Sequence, residues 1–201
     1  MKDTLALSAA AIALLIGSGL TAPSAKAGYV VDLTQVGSDV VTSGSGAIDL
    51  SGLTFFNLIG VNLSQIEPAE GIILTGPMFS LGDQYTGITG PPSFGGGSIA
   101  FASSGSGDLV GIFFGRLVVP AGYVSGTALS DTATYSGKTF ASLGVTPGTY
   151  EWTWGTGANQ NLTLDIATIP EPSTWALMAL GFAGLGLAGW RSRRGSVAIA
   201  A

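Results

Sequence analysis

The side chains able to do chemistry are few. Histidine and cysteine are absent from all 201 residues. That removes imidazole bases and ligands, thiolate nucleophiles and every Ser-His or Cys-His dyad. Carboxylates remain. Glu67 and Glu70, three apart in Glu-Pro-Ala-Glu, could share a proton or a cation, but Pro68 between them predicts a surface turn with solvated charges. Asp83, Asp108, Asp131 and Asp165 could offer oxygen ligands to Ca²⁺, yet no loop has the spacing of a calcium loop. The Ser-Gly runs at 43–46 and 103–107 do not fit G-x-S-x-G and are read as linkers. Gly95-Gly96-Gly97 could cradle a phosphate, but neither a lysine nor a helix follows. The expectation is a chain without catalytic residues, bound metal or cofactor.

One aromatic set has two readings. Tyr150, Trp152 and Trp154 alternate with Glu151 and Thr153, which places the three rings on one face of a strand. They either fill a core or form a platform on which sugar rings stack, and alternate strand aromatics more often fill a core. The platform reading makes exopolysaccharide a partner.

The elements that would position these residues are short strands. Gly, Pro, Ser and Asn punctuate the chain every few residues, with apolar/polar alternation between them, the pattern of antiparallel β-structure. The alternation predicts a strand at Tyr29–Leu33, strands around Leu53–Phe56, a buried strand at 71–75, a strand at 98–102 and one central strand over 109–119. It leaves 37–46 and 81–97 as loops. A hairpin is expected across Ser136-Gly137, and a type II turn at 146–149. Tyr150–Trp154 and Leu162–Ile166 should pair antiparallel, since each has one apolar face. The fold class expected is all-β: an antiparallel β-sandwich over 28–168, flanked by an N-terminal signal helix and a C-terminal transmembrane helix.

Charge narrows the partners. Between 28 and 168 there are ten acids and only two bases, Arg116 and Lys138, a net −8. Such a body excludes nucleic acid and an anionic lipid face as partners. Without cysteine, its stability rests on packing and hydrogen bonds.

The two ends carry addresses. Residues 1–27 read as a secretory signal peptide: Lys2, an apolar run from Leu5 to Leu20, and a small-residue cleavage site at Ala25-Lys26-Ala27. An uncleaved N-terminal anchor is the alternative. At the other end, Pro170-Glu171-Pro172 is a stiff tripeptide that no helix can run through. Ser173 to Trp190 carries no charge and, as a helix, would be about 27 Å long, close to the thickness of a bilayer core. Arg191, Arg193 and Arg194 would hold the far end in the cytoplasm as a membrane stop, followed by a short cytoplasmic tail at 195–201.

This three-part order at 169–194 resembles the PEP-CTERM sorting signal of Gram-negative bacteria. The resemblance implies that Pro170, Glu171 and Pro172 are recognised by an exosortase, a membrane-embedded cysteine transpeptidase. It further implies that the chain passes through the inner membrane on its way to the cell surface or the extracellular matrix. The stretch from Leu109 to Ile166 also resembles a block found upstream of such signals, which carries no known activity.

Overall fold

The computed structural model describes residues 28–167 and the single position Phe182. The expected signal peptide, sorting signal, membrane span and tail therefore lie outside the described residues. Among the described residues, no helix is long and apolar enough to cross a membrane.

Alternation produces the first strand, β1 (Tyr29–Val36): Tyr29, Val31 and Leu33 are buried, while Asp32 faces out. A turn at Gly37 leads into β2 (Asp39–Ala47). The expected loop and linker at 37–46 is thus a strand. Val40, Thr42 and Gly44 point inward, and Ser43 and Ser45 point outward. Small polar residues hold a strand here because β2 lies between two others and its ladder is complete on both sides. Next come β3 (Thr54–Val61), β4 (Gln65–Glu67), a single 3₁₀ turn at Pro68–Glu70, and β5 (Ile72–Thr75).

The expected loop at 81–97 begins with a strand, β6 (Ser80–Thr86). Its remainder is tied down by buried Phe94, whose N–H donates to the Pro68 carbonyl at 3.0 Å. The short strands β7 (Ala100–Phe101) and β8 (Ser104–Gly107) follow.

The apolar run 109–119 is two strands instead of one, β9 (Val110–Phe113) and β10 (Arg116–Pro120). Phe114 and Gly115 connect them with φ of 48° and 68°. Two positive φ values in a two-residue loop define a type I′ turn, whose twist matches the flanking strands. Phenylalanine is a rare occupant of its first position, and this hid the turn.

After β11 (Ala128–Tyr135), the expected hairpin gives way to a one-turn helix, α1 (Phe140–Leu143). Thr139 caps it: its side chain accepts from the Ser142 N–H, and the Ser142 hydroxyl accepts from the Thr139 N–H. The expected type II turn is absent, because Gly148 already belongs to β12 (Gly148–Thr153). The last strand is β13 (Asn161–Ala167), paired antiparallel with β12 as expected, Trp152 opposite Leu162 and Tyr150 opposite Leu164.

Among the described residues, thirteen strands make two sheets. One runs β12-β13-β1-β2-β11-β8 and the other β3-β6-β10-β9-β5-β4-β7. The purely antiparallel expectation needs correction: β1 and β13 are parallel, from Tyr29↔Leu162 to Thr34↔Ala167. Parallel neighbours need a long crossover, and here all the intervening chain supplies it. Side chains of both sheets meet in one core, with Tyr29, Val31, Leu33 and Val40 from the first and Ile66, Ile73, Val110, Ile112, Leu117 and Val119 from the second. A second, smaller cluster of Val61, Leu74, Leu109 and Val118 lies on the other face of the seven-stranded sheet.

Candidate functional site

Strands β12 and β13 position the aromatic set, and the two faces of this pair differ sharply. On the inward face, Trp152 is 2% exposed and Trp154 9%. The Trp152 indole meets Phe94 edge-on, with ring centroids 6.4 Å apart and planes at 89°. The Trp154 Nε1–H donates to the Asp49 carbonyl at 2.7 Å, which satisfies the polar end of a buried indole. Tyr150 is half-buried, tilted against Phe94 at 5.9 Å, and its hydroxyl donates to the Thr146 carbonyl at 3.0 Å. The structure therefore places both tryptophans in the core, with no ring face open for stacking.

The alternate residues of the same strands line a groove on the outward face. Thr149, Glu151, Thr153, Gly155, Thr156, Gly157, Gln160, Asn161 and Thr163 bound about 410 Å³. The Asn161 amide donates to Glu151 Oε1 at 2.8 Å. Gln160 Oε1 accepts from the Gly157 N–H at 2.8 Å, and its amide donates to the Ser51 carbonyl at 3.0 Å. These bonds fix the loop between the strands. The groove presents hydroxyls, amides and one carboxylate, the groups that exchange hydrogen bonds with a polyol. Its members are the residues between the aromatics, so the alternation that singled out the rings could also have found them.

The acidic candidates are dispersed. Glu67 ends β4 and Glu70 lies in the 3₁₀ turn. Asp83 accepts from the Gly122 N–H at 2.8 Å, and Asp108 from the Ser130 N–H at 2.9 Å. Asp165 lies on β13, opposite Asp32 of β1. Among the described residues, no group of three or more acids is placed to hold a metal ion.

Asp131 is the exception in environment. It is 4% exposed and receives the Tyr29 hydroxyl. Burial pushes its carboxyl up from 3.8 to about 6, partly offset by the bond from Tyr29. Burial also raises the Tyr29 and Tyr135 hydroxyls, with Asp131 adding to both shifts. Gly44 makes the pair possible, since a Cβ there would lie 2.4 Å from the Tyr29 hydroxyl and 2.7 Å from the carboxylate. Tyr29 and Asp131 are 102 residues apart, so no local pattern announced them.

The signal-cleavage residues Ala25 and Ala27, the motif Pro170-Glu171-Pro172 and the stop Arg191, Arg193 and Arg194 lie outside the described residues. Their place in the chain is nevertheless informative. β13 ends at Ala167, and only Thr168 and Ile169 separate it from Pro170.

A β-body followed directly by such a C-terminus defines a class of exported protein that is processed at its tail. The family model of the PEP-CTERM protein-sorting motif matches residues 168–194. The chain thus carries a PEP-CTERM sorting motif and is an exosortase-sorted protein, and the motif implies export and membrane passage to the cell surface. No curated protein and no solved structure matches the chain.

Proposed function

We propose that this chain is a non-catalytic β-sandwich protein delivered to the cell surface or extracellular matrix. In this reading Pro170-Glu171-Pro172 is the recognised tripeptide, Ser173 to Trp190 the membrane span, and Arg191, Arg193 and Arg194 its cytoplasmic stop. The observation that carries it is the sorting motif, matched from 168 onward, one residue after the last strand. Five residues, Thr168 to Pro172, lie between the last strand and the span and reach at most about 18 Å, so the body stays close to the membrane until it is processed. Replacing the tripeptide by three alanines removes the recognised shape and leaves the span intact. The variant is expected to accumulate unprocessed in the inner membrane, while deletion of 173–190 releases the body to the periplasm. Fractionation and intact mass read both. Wild-type processing of the alanine variant would leave only a plain membrane anchor.

A second reading, polysaccharide binding, is favoured by the outward groove. The groove runs along the outward face from the 155–160 connection to Thr149, which lies opposite Asp165 near the end of β13. Gly28, the first residue after the expected signal cleavage, lies at the groove end, its N–H donating to Asn159 Oδ1 at 2.9 Å. Retention of the exported chain on the host's exopolysaccharide, lost on groove substitution, tests this reading.

A further inference from the structure

Each sheet has two edges, and three of the four are guarded. β7 has two residues. β8 has four, all Ser or Gly. β12 carries Glu151, follows Pro147, and is bridged at Thr153 by Thr89. Short length, charge, proline and covering are the usual devices that stop an edge from pairing with another chain. Among the described residues, β3 has none of these. It is eight residues long, without charge or proline, and β6 is its only ladder neighbour among the described residues. A bulge at Phe56 interrupts its register with β6, but Asn57 to Val61 pairs regularly.

The edge is also apolar on its surface. Phe55, Phe56 and Leu58 are each more than half exposed, beside exposed Leu81 and Phe79. Leu81 lies opposite Gly60, and the Phe79 N–H donates to the Asn62 carbonyl at 3.0 Å. β3 therefore exposes apolar side chains along most of its length, with half-buried Asp83 on β6 opposite Leu58. The nearby cation Arg116 is already engaged, 4.2 Å above the Phe56 ring.

We propose that β3 is an interface between two copies of this chain, paired antiparallel across a two-fold axis. Unpaired backbone groups on an edge require an extended strand as partner. β3 itself carries no charge, so a charged partner finds no counter-ion on the pairing strand. A second copy matches it fully, because two-fold symmetry sets the same apolar side chains and backbone groups against themselves. Elsewhere two copies bring acid against acid, since ten carboxylates face two bases in the body. At roughly 150–250 Å² for a buried aromatic, the strip offers on the order of 500 Å² per copy, about 1,000 Å² for the pair, the lower bound for a specific interface. The proposal is independent of sorting and of polysaccharide binding.

The absence of cysteine makes the test clean. In the exported full chain, purified in detergent, single cysteines are placed at Asn57, Leu58 and Gly60, with a control at outward-facing Ser43. Opposed residues of an antiparallel pair lie roughly 4.5–5.5 Å apart at Cα, within disulfide reach. Oxidation is expected to give a disulfide-linked dimer whose yield peaks at one β3 position and stays at background for Ser43→Cys. Leu58→Lys puts two like charges into the paired strands and should reduce the sedimenting mass from two copies to one. Leu58 is 52% exposed, so neither change threatens folding. The proposal is overturned if the wild-type chain sediments as one copy, if Leu58→Lys sediments like the wild type, or if the β3 cysteines cross-link no better than Ser43→Cys.

Discussion

The two sheets share a core but treat their outer faces differently. In the six-stranded sheet the outward positions include Asp32, Ser43, Ser45, Ser130, Thr132 and Glu151, all exposed. In the seven-stranded sheet the outward positions include Leu74 and Val118, both at most 1% exposed and covered in the second cluster. Polar residues dominate one side and an apolar layer the other. The same contrast reaches the edges, since both edges of the six-stranded sheet are guarded while one edge of the seven-stranded sheet is bare β3. A hydroxyl-covered face keeps its water unless a polyol replaces it. An apolar face or edge gains by being covered. The first sheet is therefore suited to wet, exchangeable contacts and the second to permanent ones.

The largest effect tests the shared core. Trp152→Ala removes an indole packed on Phe94 and should destabilise by about 3–5 kcal/mol. A denaturant melt reads it. A loss below about 1 kcal/mol would mean that the ring is not part of the core, and would reopen the stacking platform.

The next effect separates the outer faces. Leu74→Ala, on the covered side of the seven-stranded sheet, should cost about 2–4 kcal/mol. Ser43→Ala, on the outward face of the other sheet, should stay within about 0.5 kcal/mol. Equal losses in paired melts would erase the contrast.

The third concerns the one acid held inside. Asp131 titrates near 6 when folded against 3.8 as its reference. The folded state therefore binds the proton more tightly. Stability should be highest below pH 4, fall between pH 4 and 6, and level off above. Each tenfold difference in proton affinity between the folded and unfolded chain is worth about 1.4 kcal/mol, so the fall is about 2–3 kcal/mol. Asp131→Asn keeps an acceptor for Tyr29 and removes the charge. It should flatten that profile and raise stability at pH 7 by a similar amount. A mutant curve parallel to the wild type would show that another group sets the slope.

How far the sequence revealed all this depends on where the information sits. β12 and β13 were legible because Tyr150, Trp152 and Trp154 alternate with polar residues, and so do Leu162, Leu164 and Ile166. β2 was hidden because Ser43, Gly44, Ser45 and Gly46 have weak strand preference; its neighbours β1 and β11 make it a strand. The run 109–119 was continuous in hydropathy, and its turn is marked only by an uncommon backbone conformation at Phe114. α1 is too short for a periodic signal and depends on its cap. The sorting motif was fully legible because it is local: a tripeptide, an uncharged span and a basic stop in order. The groove was half legible, since the same alternation defines both faces but the choice of the polar one needed the burial of the rings.

The smallest expected change in stability carries the sharpest contrast between the two faces of β12–β13. Glu151→Gln with Asn161→Ala removes the charge from the groove and breaks the hydrogen bond across it, which is solvent-exposed. An exposed bond of this kind contributes little, because water replaces either partner, so the double variant should melt within about 0.5 kcal/mol of the wild type. The inward rings are untouched, and so are folding and export. If the outward face binds a polysaccharide, retention on the host's exopolysaccharide should nevertheless fall by about tenfold, equivalent to about 1.4 kcal/mol, because lost polar contacts to a sugar are not recovered from apolar ones. Trp152→Ala should behave oppositely, losing stability first and retention only as the fold is lost. If the groove variant is retained like the wild type at equal stability, polysaccharide binding leaves this face. The outward side of the six-stranded sheet is then a solvated surface, and the apolar edge at β3 is the contact surface of the body.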